Sequence, residues 1–283
     1  MKLTVIVQTR GRPHTVIPTV EKTLASCGRD DTRIMVQIDD DDELTLDAID
    51  KFPKDGRVML SIKPREDSRG EKYDRALTDC PADIYLLGVD FVPILTPAFD
   101  QVIINAARIY PDGIGCVYTP MCNASFPGLQ AITAKMVEKI GYTYNHEYPF
   151  WFIDHELDDI ARMIGRFTFV NIEANYTGMR QPKTHRLRDL KFWACYFDAM
   201  TIERRRKARA IIDDPEFESP EWMKEVLRNS YQLVEARSMH INAQVREASE
   251  QIEAMRGDTS PPDLGYLRLK KAAEQKLDRK SVV

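Results

Sequence analysis

One carboxylate at the end of one apolar run points to the chemistry this chain can do. Ile84-Tyr85-Leu86-Leu87 reads as a buried strand, because β-branched, aromatic and leucine side chains follow one another without polar relief. Gly88 and Pro93 bracket the place where that strand stops. Asp90 therefore falls at the carboxyl end of a central strand, the edge where open α/β sheets place their ligands. A turn aspartate capping its own backbone is the alternative reading. Three more apolar runs end in groups of the same kind. Residues 3–7 lead into Gln8-Thr9-Arg10-Gly11-Arg12-Pro13, residues 33–38 into Asp39-Asp40-Asp41-Asp42-Glu43, and residues 58–62 into a loop carrying Arg69 and Lys72. Carboxylates and cations gathered on one sheet edge suit a nucleotide diphosphate and its divalent metal. Five consecutive acids repel one another unless cations or backbone N–H groups meet them, and N-capping of a following helix accounts for only part of the run.

The elements that must position these groups alternate as strand and helix. Residues 14–27 carry apolar side chains at helical spacing, so residues 3–38 form a βαβ unit and a parallel sheet is expected. The pattern further predicts helices over 44–52, from Lys72 onward and over 97–110. It predicts short strands over 116–119 and 167–172, a loop over 123–128 and a short segment over 131–140. Phe150-Trp151-Phe152-Ile153 is a dense apolar cluster leading into Asp154-His155-Glu156, with Asp154 as a natural N-cap. Neither GxGxxG nor GxxxxGK[ST] occurs, so a dinucleotide fingerprint and a P-loop are both unsupported.

The chain has 283 residues, 43% of them hydrophobic, enough for a substantial core and one large domain with an appendage. A net charge of -4 gives no global nucleic-acid signature. The five cysteines (Cys27, Cys80, Cys116, Cys122, Cys195) include no CxxC pair and lie in apolar surroundings, which suits reduced thiols and a cytoplasmic location. No signal peptide and no membrane-spanning run is visible.

Four segments together resemble the inverting family 2 glycosyltransferases and their GT-A-fold relatives. These are Val5 to Pro13, Gln37-Ile38-Asp39-Asp40, Leu86-Leu87-Gly88-Val89-Asp90 and Asp154-His155-Glu156-Leu157, spread over about residues 1–190. The resemblance implies an α/β fold of GT-A type, a mixed, mostly parallel sheet flanked by helices, with a catalytic domain over 1–200. The helical pattern that follows adds a helical C-terminal extension over 201–283, for oligomerisation or acceptor binding. Thr9, Arg10, Gly11, Arg12, Asp39, Asp40, Arg69 and Lys72 would then hold a nucleotide-sugar donor, a UDP-sugar by family default. Asp90 stands where the family has its metal-binding D-x-D, and here only the last carboxylate of that motif is kept, as Gly88-Val89-Asp90. Asp90, with His185 as a second ligand, would hold Mn²⁺ or Mg²⁺. Asp154 or Glu156 would be the general base, Asp154 preferred because it opens the helix.

The acceptor is less legible. From Arg180 to Arg209 there are ten Lys or Arg against three acids, interleaved with Phe192, Trp193, Tyr196 and Phe197. Such a stretch can serve a nucleic-acid backbone and its bases, modified DNA included, or simply be a solvated helix face. Residues 219–256 read as one long helix with an apolar stripe interrupted at Ser238, which either dimerises the protein or packs back on the catalytic domain. Residues 263–283 read as a marginal helix and a frayed tail. A nucleotidyltransferase of similar fold and a non-catalytic nucleotide-sugar or nucleic-acid binding module are the competing functions.

Overall fold

The computed structural model describes residues 1–120, 127–175 and 183–281. Cys122, most of the expected 123–128 loop and Arg180 lie outside the described residues. The chain packs as two compact units. The first comprises Met1–Arg65, Lys72–Thr143 and Arg166–Arg180; the second comprises Glu66–Glu71, Tyr144–Gly165 and Gln181–Val283.

The first unit is a seven-stranded mixed sheet with flanking helices. Its strands are β1 (Leu3–Gln8), β2 (Arg33–Asp39), β3 (Val58–Lys63), β4 (Ile84–Val89), β5 (Cys116–Pro120), β6 (Pro127–Thr133) and β7 (Phe167–Phe169), in the order β3-β2-β1-β4-β6-β5-β7. β1, β2, β3 and β4 run parallel, β6 is antiparallel to both β4 and β5, and β7 is parallel to β5. β1 is buried along its whole length and β4 along all but its last residue, which is why both read as unbroken apolar runs. The helices are α1 (Pro13–Ser26), α2 (Glu43–Leu46), α3 (Arg69–Asp79, its first turn counted with the second unit), α4 (Phe99–Ala107) and α5 (Ala134–Ile140). Val16 and Val20 of α1 and Phe99, Ile103 and Ile104 of α4 enter the same buried cluster as Val5, Val7, Leu86 and Ile34.

Two expectations change here. The helix predicted over 44–52 is only the single turn α2 and a separate 3₁₀ turn, Ile49–Lys51. Asp42 caps α2 by accepting the Thr45 N–H at 3.3 Å, but the chain leaves helical geometry at Ala48. The segment predicted over 131–140 splits at Thr133 into β6 and α5, and the Thr133 hydroxyl caps the helix by accepting from the Met136 N–H.

The second unit is helical: α6 (Ile153–Met163), α7 (Leu190–Ala199), α8 (Thr201–Ile212), α9 (Glu221–Asn229), α10 (Tyr231–Glu247), α11 (Ser249–Arg256) and α12 (Leu264–Ser281). The single helix expected over 219–256 is therefore three. The chain turns at Ser230 and at Ala248, where the Ser230 and Ser249 hydroxyls bond back to the carbonyls of Leu227 and Arg246 and compete with the helical ladder. α10 packs against α6 and α7. Ser238, the residue that interrupts the stripe, is buried and donates to Asp159 at 2.9 Å, and Asn242 donates to the Ala194 carbonyl and to Asp198. The helix expected over 263–283 is present as α12 but is docked rather than marginal, with Tyr266 and Ala273 buried and the Tyr266 hydroxyl donating to Asp189 at 2.6 Å. Among the described residues no helix is long and apolar enough to cross a membrane.

Asp100, fully buried in the first turn of α4, accepts from the N–H groups of Gly28 and Arg29 (both 3.0 Å) and from the Thr32 hydroxyl (2.6 Å), fixing the chain that enters β2. Asp100→Ala leaves the buried Thr32 hydroxyl without its acceptor and removes the partner of the partly buried Gly28 and Arg29 N–H groups. It is expected to lower unfolding free energy by roughly 2–4 kcal/mol, read as the urea midpoint at unchanged m-value.

Candidate active site

The carboxyl ends of β1, β2 and β4 carry the charged groups of the first unit. Asp39, the last residue of β2, is almost fully buried. Three cations meet it: Lys72 Nζ at 2.5 Å, Arg10 at 3.1 Å and Arg75 at 3.4 Å. A buried carboxylate is tolerated only with such pairing. Lys72 also donates to the Thr9 carbonyl, and Arg75 to the carbonyls of Ile38 and Pro64. Arg10 holds Asp41 through a two-pronged pair, which keeps the Asp41 carboxyl below its ordinary pKa. Gly11 sits at φ +66°, a conformation that favours glycine, and its N–H donates to the Asp42 carboxylate at 2.9 Å. The acidic run is thereby accounted for. Asp39 and Asp41 take cations, Asp42 takes the Gly11 N–H and caps α2, Glu43 lies in the first turn of α2, and Asp40 is exposed.

Asp90, just beyond β4, is also buried. Its Oδ2 accepts from the Thr9 hydroxyl at 3.0 Å and meets Arg12 Nε at 3.0 Å. Among the described residues no group of three His, Cys, Asp or Glu side chains converges as a metal site. Asp90 thus offers one hard oxygen donor at the sheet edge. That donor set suits Mg²⁺ or Mn²⁺ of the kind that takes one or two protein carboxylates and completes its shell with substrate phosphates and water. Thr9, Arg10, Gly11, Arg12, Asp39, Lys72 and Asp90 are thus brought into one linked network in this unit. Arg75 was missed from sequence, although it lies three residues after Lys72 and so on the same face of α3.

The remaining candidates belong to the second unit. Asp154 and Glu156 lie in the first turn of α6. Asp154 is not the N-cap expected of it. Phe152 holds that position at φ +75°, a costly geometry for a side chain of its size, and is kept there by burial and stacking on Phe197 at 5.1 Å. The Asp154 carboxylate is partly exposed and accepts from the His155 N–H at 3.0 Å, with the imidazole Nδ1 at 3.2 Å. Burial pushes its pKa up, but the His155 hydrogen bond and charge outweigh that and hold it below the ordinary value. Glu156 is buried and engaged by Asn145 Nδ2 and by Lys207 at 3.1 Å. Next on the helix, Asp158 holds Arg162 and Arg237, and Asp159 meets Arg204 at 3.0 Å and Ser238. Burial raises Asp159 to about 6.

His185 places its Nε2 2.8 Å from Asp263, which also takes Arg186. Arg69 stacks over Phe150, 4.9 Å from the ring centroid. The basic stretch is not a uniformly solvated face. Arg204 is buried against Phe197, and Arg205, Arg206 and Arg209 hold Glu235, Glu203 and Asp213. Trp193, Tyr196 and Phe197 are buried as well. Cys195 is exposed, unlike the apolar setting expected of the cysteines.

No protein-family model and no curated protein matches the chain. Solved structures do. The first 349 residues of S. aureus TarS superpose with TM-score 0.53 at 12% identity, covering 89% of this chain and 92% of that one. The same TarS fragment in complex with UDP and in complex with UDP-GlcNAc gives TM-score 0.50 at 13% identity in each case, with the same coverage. The likeness establishes the fold: this chain has the GT-A-type architecture of glycosyltransferases that the sequence motifs implied.

The raised pKa of Asp159 has a sign that can be tested. Between pH about 4 and 6 the native chain holds a proton that the unfolded chain, with its carboxyl near 3.8, does not. Asp159 therefore favours the native state as pH falls through that window and opposes it as pH rises, by up to about 3 kcal/mol. Asp159→Asn is expected to flatten the pH dependence of the urea midpoint between pH 4 and 6 in the corresponding sense. An unchanged slope refutes the assignment.

Proposed function

We propose that this protein is a glycosyltransferase that moves a sugar from a nucleotide-sugar donor to an acceptor hydroxyl. The observation that carries the reading is the strand-end network itself: Asp39 and Asp90 buried at the carboxyl edge of parallel strands, with Arg10, Arg12, Lys72 and Arg75 gathered on them. In a parallel sheet that edge is where nucleotides bind. The GT-A-type fold supports the same reading.

In this reading Asp39 and Asp40 face the base and ribose of the donor. Arg10, Arg12 and Lys72 share the charge of its diphosphate, Thr9 and Gly11 line the same edge, and Arg69 adds a further cation. Asp90 would hold Mn²⁺ or Mg²⁺, with His185 the second ligand that the family resemblance implies, and the ion would supply stabilisation of the departing diphosphate. Asp154 takes the proton of the acceptor hydroxyl as that oxygen attacks the anomeric carbon, giving inversion by a single displacement. Asp154 suits the role better than Glu156 because its side chain is reached by solvent, whereas Glu156 is buried. UDP is the favoured nucleotide; TarS, of similar fold, has been seen with UDP and UDP-GlcNAc. A nucleic-acid acceptor on residues 180–209 draws little support, since Arg204, Arg205, Arg206, Lys207 and Arg209 each hold a carboxylate. Residues 1–200 form the catalytic domain, and residues 201–283 serve as the extension that binds acceptor or forms a dimer through 219–256. Among the described residues Cys27, Cys80 and Cys195 form no disulfide, which suits a cytoplasmic setting.

Thermal stabilisation tests the donor site. UDP, GDP, CMP and ADP are compared with and without Mn²⁺ on wild type and Asp90→Ala. A rise in Tm for one nucleotide that needs both Mn²⁺ and Asp90 is expected, and no shift with any nucleotide sinks the reading. Once the donor is named, Asp154→Asn is expected to cut transfer roughly 10²- to 10⁴-fold with donor affinity unchanged. Because Asp154 is held below the ordinary carboxylate range, the base form persists at mildly acidic pH and is lost only as pH falls through that lowered pKa. The acid limb of kcat/KM should therefore lie below the range of a free aspartate, and a limb near pH 6 contradicts the assignment.

A further inference from the structure

Arg256 closes α11 and is unlike its neighbours. Arg186, Arg204, Arg205, Arg228, Arg237 and Arg246 of the same unit each hold a carboxylate. Arg256 has none among the described residues, and its Nε is buried with no hydrogen-bond acceptor. A buried charged N–H without a partner is costly, and such a group calls for a ligand or ion. The backbone around it is fixed, because the Arg256 carbonyl accepts from the Thr184 N–H at 2.9 Å.

Its guanidinium lies over the ring of Trp151, 5.8 Å from the centroid, just as Arg69 lies over the adjacent Phe150 at 4.9 Å. An aromatic ring engages the face of a guanidinium and leaves its in-plane N–H edge for an oxygen acceptor. Arg69 is itself held by two devices. Ser68 and Glu71 form a reciprocal capping box around it, at 3.0 and 3.1 Å. Gly70 packs against the Tyr144 and Asn145 carbonyls so closely that a Cβ would stand 2.4 Å from one of them. The two arginines feel each other. Burial first, then the charge of Arg69, pushes the Arg256 pKa down, against the pull of Asp154. Arg256 is thus disfavoured as a charged group by burial and by a neighbouring cation, and an added dianion would offset both.

We propose that Arg69 and Arg256, seated over Phe150 and Trp151, form a binding subsite for a phosphate group. Planar guanidinium forks match phosphate oxygens two at a time. The subsite stands on this geometry alone, whereas the source of the phosphate rests on the glycosyltransferase reading: it is either the diphosphate of the donor or a phosphate carried by the acceptor.

The test titrates the full chain with inorganic pyrophosphate, UDP, GDP and glycerol 3-phosphate, reading affinity by calorimetry and Tm by melting. Arg256→Gln is expected to weaken pyrophosphate about tenfold or more and to abolish its Tm shift. Its ligand-free Tm should equal or exceed that of wild type, because an unsatisfied buried charge has gone. Arg69→Gln should show the same loss of affinity, and Arg256→Lys, which keeps charge but not the fork, should recover only part of it. Loss for UDP or GDP with glycerol 3-phosphate unchanged assigns the donor diphosphate, and the opposite pattern assigns the acceptor. Wild-type affinities for all four probes in these variants, or no binding of any probe to wild type, overturn the subsite. Pyrophosphate binding that depends on Arg256, in a protein that binds no nucleotide, leaves the subsite standing and removes the glycosyltransferase reading. Should Arg256→Gln fail to fold, Arg69→Gln and Arg256→Lys decide alone.

Discussion

The carboxylate of Asp39 is the constraint on which the strand-end architecture rests. It ends a central strand with almost no access to water, and an ionised carboxylate in that position must be met by charge. Arg10 comes to it from the end of β1, and Lys72 and Arg75 come from α3. One buried charge therefore fixes the loop after β1, the end of β2 and the pitch of a helix. The same loop then carries Thr9 and Arg12 onto Asp90. The sheet supplies rigid strand ends, and the ion network gathers cations and carboxylates on them.

The helical unit uses the same physics differently. α6 buries Glu156, Asp158 and Asp159 in succession, and α8 and α10 bring Lys207, Arg204 and Arg237 to them. Three acids would not be buried on one helix without those partners. They leave Asp154, earlier on the same helix, as the carboxylate with access to solvent and a histidine as its hydrogen-bond donor. The strained Phe152 at the helix start is tolerated because the aromatic cluster around it is closely packed. Two of the basic residues that look like a docking surface in the sequence, Arg204 and Lys207, are counter-charges of this interior.

Fold likeness without family-level sequence likeness follows from what each constrains. A central parallel strand asks only for apolar side chains of adequate size, which many sequences satisfy. The strand ends are held by short motifs of one or two charged residues. TarS shares 12–13% identity with this chain, yet the superposition spans about nine-tenths of each.

By itself the amino-acid sequence determined the strands of the parallel half, because β1, β2 and β4 are buried on both faces and hydrophobic runs carry that information directly. It also placed Thr9, Arg10, Asp39, Lys72 and Asp90 at strand ends and helix starts, since Gly and Pro mark where those elements stop. What the stripe over 219–256 packs against was decided by tertiary structure: Ser238 and Asn242, inside α10, find buried partners on other helices, which local periodicity does not register. The pairing of charges was decided there too. Arg75 with Asp39, Lys207 with Glu156 and Arg204 with Asp159 join residues 36, 51 and 45 positions apart in the chain. Coulombic and hydrogen-bond terms act through space, so only the folded chain reveals which cations are spent on its own acids.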